Sequence, residues 1–369
     1  MFPTTYEESR ERFRTYLDPV QARWPGARLE SYALRDHPEL SIDWIAAEAP
    51  APRRLFVLTT GLHGIEGYAG AAMLQMWVAE FMPRLDPQDT GLMLVHAVNP
   101  WGMVHHRRYN AQNVDLNRNF VSRWEGTREL NPEYDRVLAL FHRPRPLGSW
   151  AGAHLGFLGG VVRSTLELGV TGSREAILCG QYRHAQGFSF GGTETQEEAG
   201  VMMALQEAAL ARYDQIVHLD MHSGYGPRDQ MSIVNPTGEP ASSEEWSRNL
   251  NYPLVVRTDP AEFYTIHGDM TAYWYELRDA RFQGKQVYAA AFECGTFGDS
   301  LPAAIRSLRV TVLENQLEGH GARSRAAAER IRRQRDELFI PADPAWREKA
   351  IRDARQAFQG ILTFFGLIE

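Results

Sequence analysis

The stretch LFVLTTGLHGIEGYAGAAML, residues 55–74, contains the pattern that decides the fold. Its first six residues are apolar or β-branched and are followed by Gly61, which predicts a buried strand of a parallel sheet. Small and apolar residues resume in a helical pattern at Gly67, so His63 and Glu66 lie in the turn between a strand and a helix. Open α/β sheets bind their ligands beyond the carboxyl ends of the strands. This turn is therefore predicted to lie at a ligand site.

Other apolar runs also end beside polar residues. The segment IVHLDMH, residues 216–222, ends at His222, and the segment VYAAAF, residues 287–292, is followed directly by Glu293. Side chains two positions apart on a strand share a face, so Asp220 is predicted to orient His222. These segments indicate that His222 and Glu293 lie at the same edge of the sheet as the turn after residue 60.

The residues His63, Glu66 and His222 predict a catalytic zinc site with one zinc ion per chain. Two imidazole nitrogens and one carboxylate oxygen bind zinc and leave a fourth position for water. A further carboxylate nearby, Glu293, can take a proton from that water. The combination of these residue types predicts a hydrolase.

A second polar group follows the strand-like segment LMLVHAV, residues 92–98. It comprises an Asn-Pro-x-Gly turn at 99–102, the arginines 107 and 108, and an Asp-x-Asn-Arg-Asn segment at 115–119. Together with the zinc site, these elements resemble the zinc carboxypeptidases of the carboxypeptidase A type and their relatives, the succinylglutamate desuccinylases and aspartoacylases. The resemblance spans roughly residues 54–298, and segments at 180–184 and 190–193 resemble a poorly characterised bacterial branch described only as a domain of unknown function.

The resemblance implies a role for each matching residue. His63, Glu66 and His222 bind zinc, and Glu293 is the general base. Arg108 stabilises the oxyanion that develops during amide hydrolysis. The residues that contact the substrate are Asn117 and Arg118, which hold a carboxylate, and Tyr264, which closes over the substrate, with Tyr273 or Tyr275 as alternatives.

Alternating strand and helix patterns predict an α/β fold with a mixed, largely parallel twisted sheet and helices on both faces. We expect residues 1–369 to form one catalytic domain, because ligands far apart in sequence must converge. Its parts are an N-terminal helix with strands at 1–53, a metallopeptidase core at 54–300 with an insertion at about 143–195, and C-terminal helices at 301–369.

Individual elements follow from local periodicity. Helices are predicted at 5–17, 129–141, 195–211, 322–338 and 344–358, and early strands at 29–34 and 40–47. The insertion contains a glycine-rich segment at 148–160 and is predicted to shape the substrate entrance. The apolar tail at 361–368 is expected to dock on its own domain or on a second subunit of a homo-oligomer.

The charge and amino-acid composition of the chain exclude several classes of binding partner. The net charge of −7 and the lack of a long basic stripe argue against nucleic-acid binding. No N-terminal signal pattern and no run of about 20 apolar residues is visible, so a cytoplasmic location without membrane insertion is expected. The chain has 2 cysteines, which excludes a disulfide framework. Four further histidines are predicted not to bind metal, namely His105, His106, His184 and His267.

Two classes of function remain open on this reading. The first is a zinc hydrolase that cleaves an amide bond next to a free carboxylate, in a peptide or, as in aspartoacylases, in an N-acyl amino acid. The second is a non-enzymatic descendant that binds peptides without turnover. Glu293 beside a complete ligand set favours the hydrolase, because a binding protein does not need the base.

Overall fold

The segments predicted to be strands all belong to a single β-sheet. The structure is a computed structural model that describes residues 1–141, 143–258 and 266–369, with the backbone alone at 139–141 and 174. Within these residues the sheet has eight strands, in the order β1-β2-β4-β3-β5-β8-β6-β7. They are β1 (Arg28–Ala33), β2 (Ser41–Ala47), β3 (Arg54–Thr60), β4 (Thr90–His96), β5 (Gln215–Gly224), β6 (Met231–Asn235), β7 (Val255–Arg257) and β8 (Gln286–Gly295).

The direction of the strands confirms the predicted sheet type. Strand β3 runs parallel to both β4 and β5, β5 runs parallel to β8, and β6 runs parallel to β7. The pairs β1/β2, β2/β4 and β6/β8 are antiparallel. The central strands β4, β3, β5 and β8 are therefore all parallel, and their carboxyl ends meet at one edge of the sheet.

Helices connect the strands, and each helix predicted from the sequence has a counterpart among them. They are α1 (Tyr6–Thr15), α2 (Leu17–Gln21), α3 (Gly67–Glu80), α4 (Pro100–Val104), α5 (Tyr134–Phe141), α6 (Trp150–Leu178), α7 (Glu197–Arg212), α8 (Ser243–Asn249), α9 (Met270–Arg281), α10 (Leu301–His320), α11 (Arg325–Phe339) and α12 (Pro344–Phe364). Among the described residues, no helix combines the length and apolar character that crossing a bilayer requires.

Strand β3 shows why the central strands are apolar on both faces. Phe56 and Leu58 pack into a cluster with side chains of α3 and α12, whereas Leu55 and Val57 pack into a second cluster with side chains of α7 and α9. Successive side chains of a strand point to opposite faces, so helices cover both sides of the sheet. The predicted arrangement of helices on both faces is confirmed.

The glycine-rich segment at 148–160 is mostly helical and opens α6. The hydroxyl of Ser149 accepts a hydrogen bond from the backbone N–H of Gly152 at 3.2 Å, which caps the helix. Buried Phe157 anchors this helix in a small core with residues of α5. Gly169 has φ of +71°, and the helix axis breaks there.

The C-terminal tail docks on its own chain, which was one of its two predicted positions. Leu367 and Ile368 are buried in the main core, and the ring of Phe365 lies 4.9 Å from that of Tyr288 in β8. The tail thereby covers the apolar ring of Tyr288 in β8.

Candidate metal centre

The turn after β3 holds the first two predicted ligands. Gly61 has φ of +70°, where the chain leaves the strand, and a short 3₁₀ turn over Gly64–Glu66 leads into α3. A Cβ atom on Gly64 would lie 2.1 Å from the carbonyl carbon of Gly102, so only glycine permits this approach. Asn99 fixes the facing turn, because its Oδ1 accepts a hydrogen bond from the backbone N–H of Gly102 at 2.8 Å.

Adjacent strands bring the other two residues to the same place. His222 in β5 lies directly beside Glu293 in β8, because these residues are partners in the parallel register. Strand β5 also pairs with β3 up to Thr60, three residues before His63. The four residues therefore meet at the carboxyl ends of three neighbouring strands, as the sequence patterns indicated.

Three potential ligand atoms converge on one point. His63 Nδ1 lies 3.1 Å from His222 Nδ1 and 3.1 Å from Glu66 Oε1, and His222 Nδ1 lies 3.0 Å from Glu66 Oε2. All three side chains are buried, and the group could hold a metal ion. Zinc bonds of about 2.0–2.1 Å in a tetrahedron place ligand atoms about 3.3 Å apart, so the spacing fits zinc.

The outward nitrogens of both imidazoles contact carboxylates. His63 Nε2 lies 3.0 Å from Asp115 Oδ1, and His222 Nε2 lies 2.5 Å from Asp220 Oδ2. A carboxylate accepts hydrogen bonds, so we assign the ring hydrogen of each neutral imidazole to Nε2. Each Nδ1 then presents a lone pair toward the other and toward Glu66. Such a cluster of acceptors favours a cation between them.

The charges around the site also favour a cation. Burial alone would raise the pKa of the Glu66 carboxyl, but His63, His222 and Arg108 lower it well below its usual range. The pKa of Asp115 is likewise lowered against the effect of its burial, mainly by Arg108 and His63. Burial would lower the pKa of His222, but Asp220 and Glu66 raise it. The surroundings thus stabilise positive charge at His222.

Glu293 has different surroundings from the other carboxylates. The residue as a whole is partly exposed, but its carboxyl group is enclosed, and Oε1 accepts a hydrogen bond from the backbone N–H of Tyr225 at 3.0 Å. Burial of the carboxyl and the negative charge of Glu66 raise the pKa of Glu293 to about 8. Glu293 is therefore the acidic group here that most readily holds a proton.

Arg108 lies against the ligand group. Its Nη1 donates to Glu66 Oε1 at 2.8 Å, and its Nε lies 3.5 Å from Asp115 Oδ2. The guanidinium carbon lies 5.8 Å from the centre of the Tyr225 ring, whose hydroxyl is within 3.2 Å of the Thr311 hydroxyl in α10. The sequence-based prediction did not include Tyr225, and only its position three residues after His222 hinted at it.

Asn117 and Arg118 lie further along the same loop and make internal contacts. Asn117 Nδ2 donates to Asp269 Oδ2 at 2.9 Å, and its Oδ1 accepts from the backbone N–H of Met270. Arg118 is almost fully buried, with Nη1 donating to the carbonyl of Asn117 at 2.9 Å and Nη2 to that of Leu178 at 2.6 Å. Both residues therefore tie the loop to α6 and α9.

Two of the three candidate tyrosines, Tyr273 and Tyr275, lie on α9. Tyr264 lies outside the described residues. Tyr275 is buried, and its hydroxyl donates to Glu239 Oε2 at 3.0 Å and accepts from the backbone N–H of Ala289. Tyr273 is half-buried on α9 and packs 6.2 Å from the ring of Phe120.

Two of the four histidines predicted to be unrelated to the metal have acidic partners elsewhere. His184 Nε2 lies 2.5 Å from Asp135, and His106 Nδ1 lies 3.5 Å from Asp336. His267 is held through its backbone N–H, which donates to the carbonyl of Cys179.

A buried chain of hydrogen bonds leads away from His222. Asp220 Oδ1 accepts from the Thr59 hydroxyl at 2.5 Å, and the same hydroxyl oxygen lies 2.9 Å from His218 Nε2. His218 Nδ1 accepts from Trp274 Nε1 at 2.7 Å. All of these side chains are buried. The chain links α9 to the candidate metal centre through the interior of the sheet.

Comparison with known proteins identifies one family. The model of a family described as "Protein of unknown function (DUF2817)" matches residues 2–353. The predicted resemblance to a family of unknown function is thus confirmed. A search of curated proteins finds no match.

Several solved structures are similar to this chain. Carboxypeptidase A from Helicoverpa armigera has 15% identity and a TM-score of 0.48, over 88% of this chain and 74% of that chain. Bovine thrombin-activatable fibrinolysis inhibitor, in complex with tick carboxypeptidase inhibitor, has 14% identity and a TM-score of 0.46, over 89% and 97%. An aspartoacylase family protein from Mesorhizobium loti has 12% identity and a TM-score of 0.37, over 80% and 68%.

Proposed function

The chain belongs to the DUF2817 family, and we propose that it is a zinc-dependent hydrolase that cleaves an amide bond next to a free carboxylate. The observation that carries this proposal is the convergence of His63 Nδ1, His222 Nδ1 and the Glu66 carboxylate, with both outward imidazole nitrogens bonded to carboxylates. We propose a carboxypeptidase-like reaction on a peptide with a free C-terminus.

His63, Glu66 and His222 would hold the zinc ion. Bound there, zinc supplies a Lewis acid that polarises a carbonyl oxygen and makes water more acidic. Asp115 and Asp220 keep the two imidazoles oriented and fix the hydrogen on Nε2, so that both Nδ1 lone pairs stay available.

Glu293 is proposed as the general base. Its Oε1 is held by the N–H of Tyr225, so Oε2 is the atom that we expect to take the proton of the attacking water. A carboxyl with a raised pKa binds that proton well and can then donate it to the leaving amine. The register of β5 and β8 places Glu293 directly beside His222, which supports this role.

Arg108 is proposed to stabilise the oxyanion that develops on the scissile carbonyl. Its guanidinium already lies at the ligand group, and its pKa is raised well above the usual value because Asp115 and Glu66 outweigh the effect of burial. It therefore carries a positive charge at any working pH. Asn117 and Arg118 are proposed to hold the substrate carboxylate, with a tyrosine of the 264–275 region closing over it.

The test combines metal analysis with a hydrolysis screen. Purified protein should contain about one zinc per chain by mass spectrometry, and it should release amino acids from peptides with free C-termini. Glu293→Gln serves as the matched control, since it removes the base without removing a ligand. We expect it to retain zinc and to lose a factor on the order of 10² to 10⁴ in kcat. Equal turnover by the variant would contradict the assignment of the base.

The same screen separates the alternative substrates. An N-acyl amino acid has the same amide and free carboxylate but a small acyl group in place of a peptide. Turnover of N-acyl amino acids alone would make the chain a deacylase of the aspartoacylase type. Zinc binding with no turnover of either class would favour a peptide-binding descendant of the fold.

A further inference from the structure

The hydrogen-bond chain behind Asp220 has a fixed direction. Trp274 Nε1 can only donate, so His218 Nδ1 must accept, and the hydrogen of the neutral His218 ring then lies on Nε2. That hydrogen points to the Thr59 oxygen, and the Thr59 hydroxyl hydrogen must therefore go to Asp220 Oδ1. The direction of each hydrogen bond is thus determined by the direction of the bond before it.

His218 stays neutral in this arrangement. Its ring is completely buried, and this burial lowers the pKa of His218 to about 4. A neutral ring has one donor and one acceptor, which are the two roles that Trp274 and Thr59 require. Both ring nitrogens of His218 therefore have a hydrogen-bond partner, which a buried polar network requires if it is to stabilise the structure.

We propose that Thr59, His218 and Trp274 are positioning residues that raise the affinity of the centre for zinc, an inference that rests on the proposed function. One carboxylate oxygen of Asp220 contacts His222 Nε2, and the other accepts a hydrogen bond from the Thr59 hydroxyl. The hydrogen-bond chain therefore holds the carboxylate that orients the proposed zinc ligand His222. Groups of this kind around metal ligands typically change metal affinity by 10–100-fold.

Replacing Trp274 by a residue without a side-chain N–H should weaken the hold on Asp220 in a specific way. In Trp274→Phe, His218 Nδ1 has no donor, and the ring is able to move its hydrogen from Nε2 to Nδ1. His218 Nε2 then becomes an acceptor for the Thr59 hydroxyl, which no longer has to donate to Asp220. The carboxylate loses one of its two contacts, and His222 is held less firmly.

The protein contains a second buried tryptophan that provides a matched control for this substitution. Trp77 is also fully buried, stacked 4.6 Å from Phe56, but its Nε1 has no hydrogen-bond partner among the described residues. Trp77→Phe therefore removes the same atoms from the core without breaking a hydrogen bond. A second pair of variants separates the hydroxyl from the methyl group of Thr59. Thr59→Val removes the hydroxyl at nearly constant volume, and Thr59→Ser keeps the hydroxyl but loses the methyl group.

The experiment is zinc titration of the metal-free protein against a chromophoric chelator at fixed pH, with thermal unfolding of each metal-free variant to check its fold. We expect Thr59→Val to weaken zinc binding about tenfold or more. Trp274→Phe should weaken it by a smaller factor, while Thr59→Ser and Trp77→Phe stay within about twofold of the wild type. Nitrogen NMR shifts of His218 should report hydrogen on Nε2 in the wild type and a shift toward Nδ1 in Trp274→Phe.

The outcomes separate this inference from the proposed function. A wild-type chain that binds no zinc overturns both. A wild-type chain that binds zinc, with Thr59→Val and Trp274→Phe as tight as Trp77→Phe, overturns the positioning role alone. Affinity losses that follow the unfolding temperatures of the variants, rather than the presence of the hydroxyl or the N–H, would also overturn it.

Discussion

His63 and His222 each present Nδ1 to the same point, so the loss of either imidazole should abolish the proposed zinc binding. His63→Ala and His222→Ala leave two protein ligands, which are too few to retain the ion through purification. Mass spectrometry of the purified variants should find well below one zinc per chain. His184→Ala is the control, because that imidazole lies in the insertion and contacts Asp135 of α5. Full zinc content in both ligand variants would remove the basis of the site.

Arg118 allows a test of the free-carboxylate requirement. Arg118→Ala should raise KM for substrates with a free carboxylate, at a cost of about 1.5–3 kcal/mol for a hydrogen bond to a charged group. Amidated substrates should be poor for the wild type and little affected by the variant. Since both terminal nitrogens donate to carbonyl oxygens, the melting temperature has to be measured alongside. Efficient cleavage of amidated substrates by the wild type would argue against the gripping role.

At the scale of single residues, sequence identified the residue types but not all of their partners. His63, Glu66, His222 and Glu293 could be found because each lies at or just after the carboxyl end of a strand that the apolar pattern marks. The contact of Asp115 with His63 depends on a loop path of about 50 residues that no periodicity records. Likewise, Trp274 reaches His218 only because α9 crosses the sheet at that position.

The 3₁₀ turn between β3 and α3 depends on the absence of a side chain at Gly64. A Cβ there would meet the backbone of Gly102 at 2.1 Å, so Gly64→Ala should force the two turns apart. We expect a loss of about 1–3 kcal/mol in the free energy of unfolding and weaker zinc binding. Gly159→Ala in α6 is the control, since its Cβ would meet no atom within 4 Å, and helix propensity favours alanine there. Urea unfolding of both variants measures the difference.

The first turn of α7 contains a buried carboxyl that makes stability depend on pH. Glu198 accepts hydrogen bonds from Asn110 Nδ2, and burial raises the pKa of Glu198 to about 7 from 4.5. The folded chain thus holds this proton more tightly than the unfolded chain. The stabilisation is complete below pH 4.5 and is lost as the pH rises to about 7, amounting to about 3 kcal/mol.

Glu198→Gln should remove this dependence, because the amide stays neutral. Urea unfolding between pH 5 and pH 8 should show a flatter profile for the variant, which should be the more stable protein at pH 8. Glu197→Gln controls for the loss of a charge at a more exposed neighbouring position. If the free energy of unfolding depended on pH equally in the wild type and in Glu198→Gln, the prediction would be contradicted.

Elements were predicted well where the apolar pattern was long. The central strands agree to within a few residues, because a strand buried on both faces is a continuous apolar run in the sequence. The helices predicted at 5–17, 195–211 and 322–338 agree to within three residues, whereas α8 and α9 were not predicted. Strands β6 and β7 were not predicted, since they have five and three residues and depend on pairing with neighbours. Helix α6 was missed in part because five glycines at 148–160 suggested a loop, whereas packing of Phe157 and capping by Ser149 favour a helix.

At the scale of the whole molecule, the C-terminal helices hold the strands that end at the site. The Ser223 hydroxyl donates to the carbonyl of Phe339 at 2.6 Å, and Trp346 Nε1 donates to the carbonyl of Gly295 at 2.8 Å. These bonds connect β5 to α11 and β8 to α12. We therefore propose that residues 1–369 unfold as one unit, as expected from the predicted single domain.

Calorimetry tests this proposal and the metal together. The chain should show a single unfolding transition, and free zinc at 1,000 times the dissociation constant should stabilise it by about 4 kcal/mol. A chelator should reverse the shift. Two separate transitions, or a zinc-dependent shift in only part of the unfolding signal, would contradict the single unit.

The separation of the ligands along the chain also affects how the protein folds. His63 and His222 are 159 positions apart, and the parallel pairing of β3 with β5 brings them together. Pairings between distant segments form slowly, since the loop between them must close before any contact is gained. We expect the ability to bind zinc to appear only in the last phase of refolding. Metal uptake would then mark the moment at which the sheet is complete.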